Sequence, residues 1–178
     1  QREGKNCQHF FGGIVCAHEE GVGLRKIDNL LVDGQQRLTS FALFVSALLE
    51  FIETVECDEE ARIDLNIIAD ELKKWYIEYN ERVNREVQKH RRITIGKADD
   101  EFFAALLDGR PINPTRDSHN LMLSAKKRFS SFLKESLWSS DVSTLIGNVV
   151  DLTRLMDESF LLIHIVTNSR DDAYKLFM

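Results

Sequence analysis

Asp33-Gly34-Gln35-Gln36-Arg37 sets a carboxylate, two amides and a guanidinium side by side, between two apolar stretches. Leu30-Leu31-Val32 precede them, and a long apolar helix is expected to begin near Thr39. A strand, a glycine turn and a helix start in that order leave the helix's first backbone N–H groups unpaired, which makes an anion site. The chemistry on offer is phosphate binding. Arg37 suits a bidentate grip on a phosphate. Asp33 suits Mg2+, held directly or through water. Gln35 and Gln36 can position a phosphate or a water. One helix terminus contributes only ~0.3–1 kcal/mol toward an anion, whereas micromolar affinity needs about 8 kcal/mol. Such a site therefore requires several backbone donors, Arg37 and a metal together.

A plainer reading competes with this one. Asp-Gly is a common turn dipeptide, and Gln-Gln-Arg can be a solvated first helical turn. Against it, an arginine at a helix N-terminus opposes the dipole unless an anion compensates it. Residue chemistry alone leaves both readings open.

The elements that must position this turn are legible on either side of it. His9 to Cys16 reads as a buried strand in which Gly12 and Gly13 allow close backbone approach or a bulge. His18 to Gly23 reads as a turn, and Arg25 to Val32 as a second strand pairing with the first. Thr39 to Val55 repeats Phe41, Phe44, Leu48, Phe51, Ile52 and Val55 at helical spacing and is the expected central helix. Ala61 to about His90 reads as another helix with Trp75, Tyr76 and Tyr79 as core aromatics. Asp99 and Asp100 open a short helix through Leu107, and Arg110 to Arg116, with both prolines, is a loop. Ser118 is expected to cap a helix reaching Leu137, followed by a helix from Asp141 to Met156. Phe160 to Val166 is a third strand, and Ser169 or Asp171 caps a last helix that runs to Met178. The class is α+β, dominated by helix.

Composition bounds the rest. The chain has 178 residues, 43% hydrophobic and 29% charged, with a formal charge of -6. An acidic chain has no global pull toward nucleic acid, so any DNA contact needs a local basic patch or another domain. Cys7, Cys16 and Cys57 form no Cys-x-x-Cys pair, which argues against a disulfide framework or zinc knuckle and for a reducing, cytoplasmic setting. No apolar run is long enough to span a bilayer, and no signal peptide is visible. The first residue is Gln1 rather than Met, and the chain stops inside an expected helix, so it reads as a piece of a longer protein.

Other candidates carry blander readings. His164, among apolar neighbours, is expected to be a hydrogen-bonded core histidine. His9, His18, His90 and His119 lack metal-ligand spacing. Lys89-His90-Arg91-Arg92, with Arg82 and Arg85, is read as a solvated helix end whose charge suits the C-terminal dipole, in preference to a phosphate contact.

Leu31 to Ser40, with Asp33-Gly34-Gln35-Gln36-Arg37 at its centre, resembles the signature of the GmrSD-type restriction-system N-terminal domain, a GmrS-like fold related to ParB and sulfiredoxin. Phe10 to Val15 resembles the strand before that signature. Asp99 to Leu107 resembles a middle Asp-x-x-Phe-Phe helix, and Ile163 to Phe177 a returning strand and helix. The resemblance implies a helix-dominated α+β domain in which a small sheet of about three or four strands packs against a helical bundle. It implies one domain over residues 1–178, truncated at both ends, with sheet, turn and central helix in 1–60, a helical part in 61–158 and a returning strand in 159–178.

The resemblance also implies a function. A nucleoside triphosphate with Mg2+ would be bound, and its hydrolysis would license cleavage of modified phage DNA. Asp33, Gln35, Gln36 and Arg37 would then be catalytic, Asp33 the metal ligand, and Gly34, Arg37, Leu38 and Thr39 the cofactor-binding residues. Gly34-x-x-Arg37 also looks like the phosphate-binding turn of ParB-like proteins. Implied partners are DNA, engaged through the full-length protein, and a C-terminal nuclease domain or partner subunit. Homo-oligomerisation is an open option and a membrane is not implied. The sulfiredoxin turn carries a reactive Cys where this one has Gln, so peroxide repair is not supported. The alternative is a non-enzymatic DNA- or protein-interaction module in which the turn only shapes a groove.

Overall fold

A run of β-formers broken by two glycines makes the first strand, β1 (His9–Glu20), which takes the centre of a three-stranded sheet. The computed structural model describes residues 9–20, 27–83 and 85–176. Cys7, part of the turn after His18, the expected start of the second strand at Arg25 and the end of the last helix lie outside them. By its internal contacts the chain divides into two compact units, residues 1–37 with 152–178, and residues 38–151.

The first unit is built on the sheet. β2 (Ile27–Asp33) pairs antiparallel with β1 on one side, and β5 (Phe160–Thr167) pairs parallel with it on the other. Being central, β1 buries Ile14, Val15, Cys16 and Ala17. Two irregularities interrupt its ladders, one between Phe10 and Gly12 and one between Val15 and Cys16. The first is the bulge that the glycine pair allows, with Gly12 at φ 116°. Ser169 caps α6 (Arg170–Lys175), its Oγ accepting the Asp172 N–H at 3.2 Å. The strand Phe160 to Val166 stands where it was expected, but His164 is not a core residue. β5 is an edge strand, and His164 is exposed along with Leu161, Leu162, Ile163, Ile165 and Val166.

The second unit is helical. α1 (Gln35–Thr54) starts four residues before the expected Thr39 and brings Ala42, Leu43, Val45, Ala47, Leu48, Phe51 and Ile52 into the core. Asp58 caps α2 (Glu59–Leu72) by accepting the Ala61 N–H at 2.9 Å. α2 is much shorter than the helix expected to reach His90. It ends in one π-helical turn, Lys73–Ile77, and the chain then turns extended as the antiparallel ribbon β3 (Glu78–Val83) and β4 (Glu86–Arg91). The Arg82–Arg92 basic run is therefore not a helix end, and the helix dipole does not explain it. Trp75, expected in the core, is exposed, whereas Tyr76 and Tyr79 are half-buried.

α3 (Lys97–Leu107), α4 (Asp117–Leu137) and α5 (Val142–Ser159) complete the described elements. Ser118 does not cap α4: it lies inside the helix, whose N-cap is Arg116, and its hydroxyl donates at 2.8 Å to Asp99 on α3. His119 is buried and stacks on Phe102 with centroids 4.0 Å apart. The class is α+β and helix-dominated, with the strands split between a three-stranded sheet and a separate two-stranded ribbon.

Candidate functional site

β2 delivers Asp33 to the end of the sheet, opposite Val15 of β1. Gly34 turns the chain at φ 93°, a conformation that L side chains rarely adopt. It is also buried: a Cβ there would stand 2.6 Å from Ile14 Cγ2 and 3.2 Å from the Gly13 carbonyl oxygen. Glycine at 34 thus lets β2 pass close to β1 and enter α1 at once. No acidic residue occupies the first turn of α1, so the N–H groups of Gln35, Gln36 and Arg37 meet no carboxylate of that turn.

The three side chains after Gly34 are exposed. Gln35 Nε2 donates to the Leu31 carbonyl at 3.0 Å and closes the turn on itself. Arg37 reaches the bulge of β1, where its Nη1 donates to the Gly13 carbonyl at 2.8 Å. A Cβ on Gly12 would come within 2.7 Å of Arg37 Nε. The glycine pair in β1 and the arginine of the turn are two halves of one seat. Asp33 Oδ2 stands 3.7 Å from the same Nη1, with both side chains about half exposed, at 45% for Arg37 and 49% for Asp33. An ion pair that open contributes ~0–1 kcal/mol, so either partner can exchange it for a ligand at little cost. Among the described residues the other guanidinium N–H groups of Arg37 have no acceptor.

The expected residues fall into two groups. Asp33, Gly34, Gln35, Gln36 and Arg37 are together in the first unit, whereas Leu38 and Thr39 continue α1 and belong to the second. The spacing of Gly12 and Gly13 signalled a close backbone approach, but nothing in the sequence named Arg37 as what approaches. For Mg2+, Asp33 is the carboxylate at the turn, and among the described residues no three His, Cys, Asp or Glu side chains cluster to hold an ion. That donor set fits a cation that takes one carboxylate and completes its shell with phosphate oxygens and water. No described helix is long and apolar enough to cross a membrane.

Residues 3–178, all but the first two of the chain, match the family of the GmrSD restriction endonuclease N-terminal domain. The chain belongs to that family. Comparison with curated protein sequences finds no match. As a GmrSD N-terminal domain the chain is part of a restriction system.

Proposed function

We propose that the turn Asp33–Arg37 binds the phosphates of a nucleoside triphosphate with Mg2+, and that binding or hydrolysis regulates a nuclease carried elsewhere in the restriction protein. The observation behind this reading is the seating of Arg37. Its guanidinium is anchored by one hydrogen bond to the Gly13 carbonyl, lies against a glycine that has no side chain to displace it, and keeps its other donors free of described acceptors. That is a preoriented anion clamp beside the unpaired N–H groups of a helix start. Asp33 would move from Arg37 to the cation as phosphate takes over the arginine. Gln36, exposed and without a described hydrogen bond, would orient the phosphate or an attacking water. Gln35 would do so after releasing the Leu31 carbonyl. The bound nucleotide would supply the phosphoanhydride and most of the cation's ligands. Leu38 and Thr39 extend the proposed contact along α1.

Arg37→Ala tests this directly. The expected result is loss of Mg2+-dependent nucleotide binding by titration calorimetry. The melting transition should stay close to that of the parent chain, because one exposed hydrogen bond contributes only ~0.5–1.5 kcal/mol. Unfolding of the variant would instead favour a second reading, in which the turn only shapes a groove of an interaction module. The Gln35 and Arg37 hydrogen bonds to local carbonyls support that reading. Phosphate release measured with and without DNA, and its loss in Asp33→Ala, separates an NTPase from a binding module.

A further inference from the structure

α2 shows apolar residues on the side where a surface helix is normally polar. Leu65 and Leu72 define its inner side and are buried. At helical spacing Ile63 and Ile67 fall on the opposite side, one turn apart, and each is more than half exposed. Glu59, Glu60, Asp64, Asp70 and Glu71 surround them, all exposed and none with a basic partner among the described residues. Arg62, the one cation of α2, is turned away and donates to the Ile52 and Val55 carbonyls of the preceding segment. A single exposed isoleucine is ordinary, but a stacked pair ringed by unpaired carboxylates is a patch that suits an apolar, cationic cover.

α4, in the same compact unit, carries the complement. Its inner side buries Met122, Lys126, Leu133 and Leu137. Its outer side shows Leu121 and Phe132, each more than half exposed. Lys127, Arg128 and Lys134 stand beside them, exposed and without an acidic partner among the described residues. Asp117 and Glu135, the acids of α4, lie toward its two ends, so the middle of the outer face is cationic. The two faces also agree in length. Glu59 to Glu71 and Leu121 to Lys134 each run about 18–20 Å at 1.5 Å per residue. Both faces are exposed, so neither covers the other within one copy.

We propose that the outer face of α2 docks on the outer face of α4 in a second copy of this chain. Ile63 and Ile67 pack against Leu121 and Phe132, inside a rim where the carboxylates of α2 meet Lys127, Arg128 and Lys134. The charge complementarity selects this occupant, because one chain supplies both halves of the contact. A two-fold pair forms it twice, and a head-to-tail arrangement repeats it. This assignment is independent of the nucleotide reading at Asp33–Arg37, and each can fail without the other.

The test is sedimentation velocity of the chain from about 1 to 200 µM, at about 50 mM salt and above. A contact between two helix faces is small, so the sedimentation coefficient should rise with concentration in the micromolar range, and rise less as salt is added. Asp64→Lys/Glu71→Lys sets α2 against α4 with like charge, and Lys127→Glu/Arg128→Glu does the same from the other side. Each variant alone is expected to associate about tenfold or more weakly than the parent chain. An equimolar mixture of the two should associate as the parent does, because each then meets opposite charge at both faces. Ile63→Ser/Ile67→Ser should also lose association, through the apolar centre rather than the rim. The melting curves of all variants report that the fold is kept. Three results would each overturn the proposal. One is a parent chain that stays monomeric throughout, which leaves both faces to other proteins or to anionic lipid. The others are a charge-reversed variant that associates normally, and a mixture of the two reversed variants that stays monomeric.

Discussion

The turn at Asp33–Arg37 and the junction of α1 with α4 each join a basic side chain to a carboxylate, in opposite ways. Arg37 and Asp33 are 3.7 Å apart and half exposed on both sides. Lys126 and Glu50 are 2.7 Å apart, and the lysine side chain is 8% exposed. Lys126 also donates to the Leu106 carbonyl at the end of α3, and Ser46 Oγ donates to the Leu106 and Leu107 carbonyls at 3.2 and 3.1 Å. Those carbonyls belong to the last turn of α3, where the regular helical pattern ends, and the Leu106 carbonyl also accepts the Gly109 N–H at 3.4 Å. The buried pair thus helps close a helix end inside the core, and releasing Glu50 would leave the buried Lys126 ammonium without its countercharge. The exposed pair closes nothing, and water replaces either partner. Charges that hold the fold are held tightly, and the loose pair leaves its charges free for the ligand proposed above.

The largest predicted effect breaks the buried side of this comparison. Lys126→Met keeps the length of the side chain and removes the charge, leaving Glu50 unpaired. Ser46 still serves the Leu106 carbonyl, and Glu50 is 41% exposed and can be rehydrated. The cost is therefore expected at the low end for a broken buried pair, about 2–3 kcal/mol. Denaturant unfolding should show it as a lower midpoint with unchanged slope. Nucleotide binding by the folded variant should be unaltered. An Arg37→Ala variant should give the reverse pattern. If the two variants lose similar stability, the distinction between the pairs is wrong.

What the sequence revealed follows the same divide between local and distant causes. The apolar stripe of α1, the capping of α6 by Ser169 and the strand–glycine–helix order at Asp33–Arg37 rest on neighbours within a few residues, and each was readable. The ribbon was not. Glu78 to Arg91 is rich in Glu, Arg, Lys and Gln, which favour helix, and its tip has no Asn-Gly or Asp-Gly pair to announce a hairpin. The π-helical turn that ends the helix contains neither Gly nor Pro, so nothing marked where Trp75 leaves the core. His164 was misplaced for a different reason. An apolar strand reads as central, but the order β2-β1-β5 puts it at an edge, and strand order is a long-range property. Lys126 and Glu50 lie 76 residues apart, beyond any local pattern.

Gly34 sharpens the comparison from inside the exposed region. The side chains of the turn are loose, but its backbone is not, since Gly34 is buried with φ 93° and faces Ile14. In Gly34→Ala, Cβ must displace Ile14 or tilt β2, and the residue carries a strained φ as well. About 1–3 kcal/mol of stability should be lost. Nucleotide affinity should fall too, because the N–H groups of Gln35 to Arg37 shift with the turn. Calorimetric melting and nucleotide titration on the same sample check both. A variant with normal stability and normal binding would mean that the glycine's conformation positions nothing.

Between the two extremes stands the pair of Arg91 and Asp100, each side chain 27% exposed, and it sets the smallest effect. The hydrogen bonds from Arg91 hold the Asp100 carboxyl below its usual range. Partial burial pushes the other way, while the Ile95 N–H, 3.1 Å from Oδ1, and the Arg91 charge add to the lowering. A carboxyl lowered in the folded chain stabilises the fold above its unfolded pKa, near 3.9, and that contribution disappears as pH falls through the lowered value. Asp100→Asn should therefore cost about 1 kcal/mol at neutral pH, less than Lys126→Met because water screens the pair. The difference from the parent chain should shrink once pH drops below about 4. Asp99, lowered chiefly by the Ser118 hydroxyl, remains in both proteins and keeps a common acid sensitivity. Urea midpoints of the two proteins across that range measure the gap. A gap that stays constant down to the lowest pH would assign the Asp100 contribution to packing rather than charge, and the pair would then leave the series that runs from Arg37 to Lys126.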